Sequence, residues 1–495
     1  MSQAIEQSKK LSITCVTIGN FGCGKSTLIG HLIYCLQSKN KDFYTKRIET
    51  YEINNPCLKY ASLLFPHKPE QERGMTLAAN PTLCFTPKYH CVIFDTPGHI
   101  QYMKSVIVGL AQSDAALVVL DAIDDDFLDP CSQARQQVKE RLVLAHTFGV
   151  KQVIVIVNKM DMSDYAKELF DHFCTEAATL LKGIGYLPKK LSFVPVSAWC
   201  GDNLVSPSAL MPWHTGPTLL QTIDSLALPL TRESLLERPL RMPVRRVHRI
   251  GGIGTVLTGR IVAGRMAYDC RVRIGPAPVT TKIGVDSQRF WEYRHGQVGD
   301  NISVRVWGSP RDYCRGDVLS LEEAAPVRPC ISFTASVIVM PHAPGRMRVG
   351  YAPLLHCHTA RIPVRISRIL EKQLRCNEQP PETLDTLCSG ASYVVCVTPL
   401  RPIVVERFAE CNALGRFALR DKGVTVMIGV VQTVEYCDDD DGDGGYFAHG
   451  GEFERREREY QLRRRAAKKE DRRIRRRGMR PRPHVHVAKG AKVNN

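Results

Sequence analysis

Gly19, Asn20, Phe21, Gly22, Cys23, Gly24, Lys25 and Ser26 fit the spacing G-x-x-x-x-G-K-S. An apolar strand-like run, 11–18, precedes them, and a helix-like stretch, 25–36, follows. Glycines at those spacings let successive backbone N–H groups turn inward around a phosphate, and the helix start adds its positive dipole. Lys25 then reaches the outer phosphates, and Ser26, followed by Thr27, offers a hydroxyl to Mg²⁺. The motif alone does not separate one nucleotide from another.

Three later clusters make that distinction, each at the end of a strand-like run. Asp95-Thr96-Pro97-Gly98-His99 follows the run 91–94. An aspartate there holds a water bound to Mg²⁺, and the Gly98 N–H meets the last phosphate. Asn158-Lys159-Met160-Asp161 follows 151–157. Its carboxylate can accept from both N1–H and N2–H₂ of guanine, whereas adenine leaves it unpaired at real cost. Ser197-Ala198-Trp199 follows 192–196 and can offer a backbone N–H to guanine O6. The order of these clusters, each at the strand end where α/β sheets bind ligands, points to GTP and GDP.

The elements that must carry them follow from pattern. Buried strand-like runs at 11–18, 91–94, 115–121, 151–157 and 192–196 alternate with helical patterns at about 99–111, 132–147 and 164–181. That alternation predicts a doubly wound α/β domain. The stretch 227–243, with three prolines, reads as a linker. Short β-rich runs separated by Gly, Pro and Asp turns follow, which predicts two successive β-barrels with a boundary near 322–329. The expected division is 1–236 for the nucleotide domain, 237–326 and 327–436 for the barrels, and 437–495 for a low-complexity tail.

That tail carries five aspartates within 438–443 and then turns basic. From Glu452 onward it holds 17 Lys and Arg against 6 Asp and Glu, which is most of the net charge of +17. Such a run reads as a disordered or helical extension, with RNA or another polyanion as its partner. No apolar run approaches the ~18 residues of a membrane span, and residues 1–10 lack a signal-peptide core. The 18 cysteines are scattered with no C-x-x-C, so thiols in the cytoplasm are expected. His356, Cys357 and His358 alternate between faces if they lie on a strand, which argues against a metal there.

With these motifs in place, the chain resembles the elongation factor 1-alpha family of translational GTPases. The resemblance extends to GVKQVI at 149–154, FVPVS at 193–197, GDN at 201–203, MPW at 211–213, IGGIGT at 250–255, GYAP at 350–353 and LGRFALRD at 414–421. It covers 11–436. It implies an enzyme that hydrolyses GTP while delivering aminoacyl-tRNA to the ribosome, served by a guanine-nucleotide exchange factor. Thr76, in ERGMT at 72–76, becomes the switch threonine that joins Ser26 and Asp95 around Mg²⁺. His99 becomes the residue that positions the attacking water. Lys104 and Arg315 match positions near the tRNA 5′ end, and Asn301, with Asp286 near it, matches the aminoacyl-end pocket.

The chain also departs from that family. Asn20, Phe21, Gly22 and Cys23 replace His-Val-Asp-Ser, and the lost aspartate, now Gly22, helps such GTPases hold a monovalent cation near the phosphates. Slower hydrolysis follows from that change. Phe21 and Met75 replace smaller residues flanking the histidine, Ser105 follows Lys104 where the family has asparagine, and LFP stands at 64–66. Cys23, in the P-loop at a helix start, is either a reactive thiol shielded by nucleotide or a small residue that fits. Two other functions share this architecture: carriage of a release or rescue factor, and RNA binding by a GTP-binding protein with reduced hydrolysis.

Overall fold

The computed structural model describes residues 11–36, 41–228, 232–267, 269–277, 279–285, 295–343, 347–373 and 385–437. Asp286 and the 438–495 tail lie outside the described residues. The described residues up to Tyr436 form one compact unit.

Its first part is a six-stranded sheet in the order β2-β3-β1-β4-β5-β6. These strands are β1 (Leu11–Ile18), β2 (Asn80–Phe85), β3 (Tyr89–Asp95), β4 (Ala115–Asp121), β5 (Gln152–Asn158) and β6 (Leu191–Pro195). All neighbours are parallel except β2, which runs antiparallel to β3. Parallel strands covered on both faces read as near-continuous apolar runs, and VIVIV at 153–157 is fully buried. Helices α1 (Lys25–Leu36), α2 (Lys41–Asn54), α3 (Lys68–Arg73), α4 (Met103–Leu110), α5 (Gln133–Phe148), α6 (Lys167–Ile184), α7 (Leu219–Ser225) and α8 (Arg232–Leu236) complete this part. Leu28, Leu32 and Ile223 from α1 and α7 pack with Ile13, Leu117 and Ile156 on one face. Val106, Leu142 and Phe173 from α4, α5 and α6 pack with Val16, Phe94 and Val155 on the other.

Caps set the ends of α5: the Ser132 side chain accepts from Arg135 N, and Gly149 takes φ 96°. The predicted helix at 99–111 begins later, at Met103, because Ile100–Tyr102 forms a 3₁₀ turn. The stretch read as a linker contains α8, whose Arg232 donates to Ser12 O at 2.9 Å. Among the described residues no helix is long and apolar enough to cross a membrane.

Two closed six-stranded barrels follow. The first uses β7 (Met242–Ile250), β8 (Gly254–Arg260), β10 (Arg271–Gly275), β11 (Val279–Val285), β13 (Asn301–Val306) and β14 (Val318–Leu321), with β9 (Arg265–Ala267) and β12 (His295–Gln297) paired beside it. The second uses β15 (Cys330–Val339), β17 (Leu354–Cys357), β18 (Ala360–Gln373), β20 (Ser392–Pro399), β21 (Arg416–Asp421) and β22 (Val424–Tyr436), with β16 (Met347–Arg348) paired to β19 (Thr386–Leu387). Alternation such as NISVRV on β13, with every second residue buried, packs each barrel interior.

Charged pairs fasten the barrels in place. Arg260 meets Asp114 Oδ2 at 2.6 Å across the first barrel and the sheet, and Arg241 meets Glu406 between the barrels. Both members of each pair are nearly buried. Removing one partner strands the other charge away from water. Arg260→Ala is expected to cost about 3 kcal/mol of unfolding free energy in a urea titration of the GDP form, since Asp114 is left without its cation.

Candidate functional site

The P-loop turns through Gly22 and Gly24, whose φ values of 85° and 87° place them in the left-handed region. At Gly24 a Cβ would also lie 2.3 Å from Asn158 Nδ2, so this glycine is required twice over. The Lys25 ammonium is buried and donates to Gly19 O at 3.1 Å and Asn20 O at 2.6 Å. Cys23 is buried, its thiol donating to Asn20 O at 3.1 Å and lying 3.6 Å from Lys25 Nζ.

Ser26, Thr76 and Asp95 come together. The Ser26 hydroxyl donates to Asp95 Oδ2 at 2.7 Å and the Thr76 hydroxyl to the same oxygen at 2.9 Å, while the two hydroxyls stand 3.0 Å apart. Thr17 donates to the other carboxylate oxygen at 3.2 Å. Burial pushes the Asp95 pKa up, and its bonds to Ser26 and Thr76 and the Lys25 charge oppose that. Glu70 anchors the segment that presents Thr76: its buried carboxylate accepts from Leu77 N at 2.9 Å and Ala78 N at 3.3 Å.

The base-recognition loops close on each other. Asn158 donates to Cys23 O and accepts from Ala198 N, both at 2.9 Å. Ser197 donates to Asp161 Oδ1 at 2.6 Å, which fixes the carboxylate. Lys159, at φ 66°, pairs with Asp121 at 2.5 Å. Trp199 is half exposed, with the Lys59 ammonium 4.5 Å from its ring centroid. His31 Nδ1 donates to Ala198 O at 2.8 Å and the ring stacks on Tyr60 at 3.8 Å, tying α1 to this loop.

His99 is partly exposed, directly after Gly98. Its Nδ1 accepts from Gln101 N at 3.3 Å, and Tyr102 meets the ring edge-on at 6.1 Å. Gly98 is pressed onto the P-loop, since a Cβ there would lie 2.7 Å from Asn20 O and Phe21 Cα. Phe21 itself points outward, 62% exposed.

Comparison with known proteins bears on this geometry. Residues 10–229 match the elongation factor Tu GTP binding domain family, and 332–432 match the GTP-eEF1A C-terminal domain-like family. Elongation factor 1-alpha of Mucor circinelloides f. lusitanicus is 37% identical over 444 residues, covering 87% of this chain and 96% of that protein. The chain belongs to the elongation factor 1-alpha family. Elongation factor 1-alpha of Hypocrea jecorina is 38% identical over 441 residues, covering 86% and 95%. The Saccharomyces cerevisiae Ski7 GTPase-like domain, solved with GTP bound, shares the fold at 17% identity and a TM-score of 0.68, covering 87% of this chain and 98% of that one. As a member of this family the protein is a GTP-hydrolysing translational GTPase.

The family's tRNA-side candidates take different places. Lys104, on α4, and Arg315, before β14, stand in one basic cluster with Arg246, Arg361 and Arg420: burial first, then Arg420, Arg361, Arg315 and Lys104, push the pKa of His356 down to about 3. Desolvation, then Arg246 and Arg361, lower that of Arg315, which donates to Thr359 O at 3.1 Å. Asn301 instead donates to Thr14 Oγ1 at 2.9 Å, an amide engaged between the first barrel and β1. His356 and Cys357 lie on β17 and His358 in the turn after it, all buried.

Arg141 and the relay Glu70–Asn80–Arg246 escape sequence reasoning. Asn80 Nδ2 donates to Glu70 and its Oδ1 accepts from Arg246 at 3.0 Å, linking the Thr76 segment to the first barrel. One signal for Arg141 was present. It shares an i, i+3, i+4, i+7 stripe with Val138, Leu142 and Ala145, where an arginine has no reason to be apolar company.

Proposed function

We propose that this protein binds aminoacyl-tRNA in its GTP form and delivers it to the ribosomal A site in the cytoplasm, with an exchange factor restoring GTP. The observation that carries this reading is the basic cluster of Lys104, Arg246, Arg315 and Arg361, drawn from the nucleotide domain and both barrels. Like charges gathered at one junction, with Lys104, Arg315 and Arg361 open to solvent, favour a phosphate-rich ligand. Arg246 belongs both to that cluster and to the Asn80 relay, so docking of the Thr76 segment shapes the surface that meets RNA.

The residues around Asp95 fit Mg²⁺. The donors are all oxygens, two hydroxyls and one buried carboxylate, the set a hard cation takes. Ser26 and Thr76 would hold the ion with Asp95 behind them, and it would supply charge neutralisation at the β- and γ-phosphates. Lys25 binds the phosphates, Asp161 and a backbone N–H of the Ser197–Trp199 turn orient the base, and His99 orients water.

The test is GTP-dependent protection of an aminoacyl-tRNA ester bond, with GDP and uncharged tRNA as controls. Protection with GTP alone is the expected result; none, with GTP still tightly bound, would end this reading. Arg315→Ala should weaken tRNA binding and reduce the slope of log affinity against log salt by about one.

A second reading, a GTP-dependent RNA-binding protein with slow turnover, is favoured by Gly22 in the P-loop and by the basic composition of the tail. Truncation before Asp438 separates the two, because tail-borne RNA binding would vanish while ester protection would persist.

A further inference from the structure

Arg141 is the largest fully buried side chain among the described residues. Its Nη1 donates to Gly19 O at 2.7 Å and to Asn20 Oδ1 at 3.3 Å, and its Nη2 donates to Gly98 O. Its Nε is buried without a partner. Among the described residues no carboxylate pairs with it, and the adjacent Glu140 is committed to Thr425 and Arg420 of the second barrel. Every acceptor it uses therefore belongs to the nucleotide site. Lys25 bonds the same Gly19 carbonyl, so two cations converge on the P-loop, and among the described residues none of the bonds that Arg141 makes goes to a carboxylate.

A buried cation without an anionic partner is stabilised only when something supplies the charge. The one group that enters this site with several negative charges is the nucleotide's phosphate chain. Arg141 also spans two loops: Gly19 and Asn20 lie in the P-loop, which any guanine nucleotide engages, whereas Gly98 lies in the 95–99 loop, whose N–H is expected from the sequence to meet the γ-phosphate that GDP lacks.

We infer that Arg141 is a positioning residue for the γ-phosphate, bridging Gly98 to the P-loop so that the site closes on GTP and discriminates it from GDP. The planar guanidinium is suited to this, since its fixed fork reaches two loops at once. A lysine at 141 keeps the charge but has one compact ammonium on a flexible stem, and it would not bridge both.

This inference rests on GTP binding, not on the tRNA reading. The experiment measures affinity for fluorescent GDP and for a fluorescent non-hydrolysable GTP analogue in the full chain, wild type against Arg141→Met and Arg141→Lys. GDP binding verifies the fold, and the readout is the ratio of the two dissociation constants, which a packing defect would leave in place. Both variants should raise the GTP-to-GDP ratio by about fivefold or more. A smaller rise in both, equal weakening of both nucleotides, or full rescue by lysine would overturn the bridge. Should the methionine variant not fold, Arg141→Lys alone decides by the same threshold. Wild-type protein that binds neither nucleotide would instead sink the assignment of the site itself.

Discussion

Asp161→Asn should lower GTP affinity by roughly 10⁴-fold and create affinity for XTP. The carboxylate is held in place by the Ser197 hydroxyl at 2.6 Å, on a turn that follows β5 directly. Both of its oxygens can then accept from the N1–H and N2–H₂ of guanine. An asparagine keeps the shape but presents an NH₂ to the guanine amino group, donor against donor. Xanthine has a carbonyl at that position and accepts from the same NH₂. Asn158, which braces Cys23 O and Ala198 N at 2.9 Å each, is untouched, so the phosphate loop and the Ser197–Trp199 turn remain in register. Equilibrium titration with fluorescent GTP and XTP analogues checks this. Equal loss of both nucleotides would mean that Asp161 supports the loop and does not read the base.

The same loops explain how much was legible in the sequence. β1, α1 and β4 occupy the residues expected of them, because each is a dense apolar run or stripe bounded by glycine or a charged residue. β2 was missed: NPTLCF has a proline second and only weak alternation, which suits an edge strand paired on one side. The helices α2 and α3 were also missed, since KDFYTKRIETYEIN and KPEQER show no broad apolar stripe. Within the site, motif residues were legible because their chemistry demands fixed spacing. Arg141 and Asn80 were not, because each acts through a partner far away in sequence, 122 residues in the case of Gly19 and 166 in the case of Arg246.

His99→Ala should reduce single-turnover GTP hydrolysis by about a thousandfold while leaving GTP and GDP affinities within about twofold. Gly98 is wedged against Asn20 and Phe21, so the residue after it must emerge beside the outer phosphate. The His99 backbone is extended, at φ −79° and ψ 138°, and its Nδ1 is engaged by the Gln101 N–H. That bond makes Nδ1 an acceptor, which places the proton of the neutral ring on Nε2. A ring fixed in that tautomer can orient a water without removing its proton, and positioning is most of what phosphoryl transfer asks of a protein. His99→Gln, which also carries a donor and an acceptor on a side chain of similar reach, should recover part of the rate. Tyr102 packs edge-on against the ring at 6.1 Å and limits its swing, so Tyr102→Ala should slow hydrolysis less than His99→Ala does and without changing binding. Rapid-quench measurement of phosphate release from the preformed GTP complex isolates the chemical step from exchange. If His99→Ala hydrolyses GTP as fast as wild type, the histidine has no part in positioning the water, and the slow-turnover reading attached to Gly22 gains the weight.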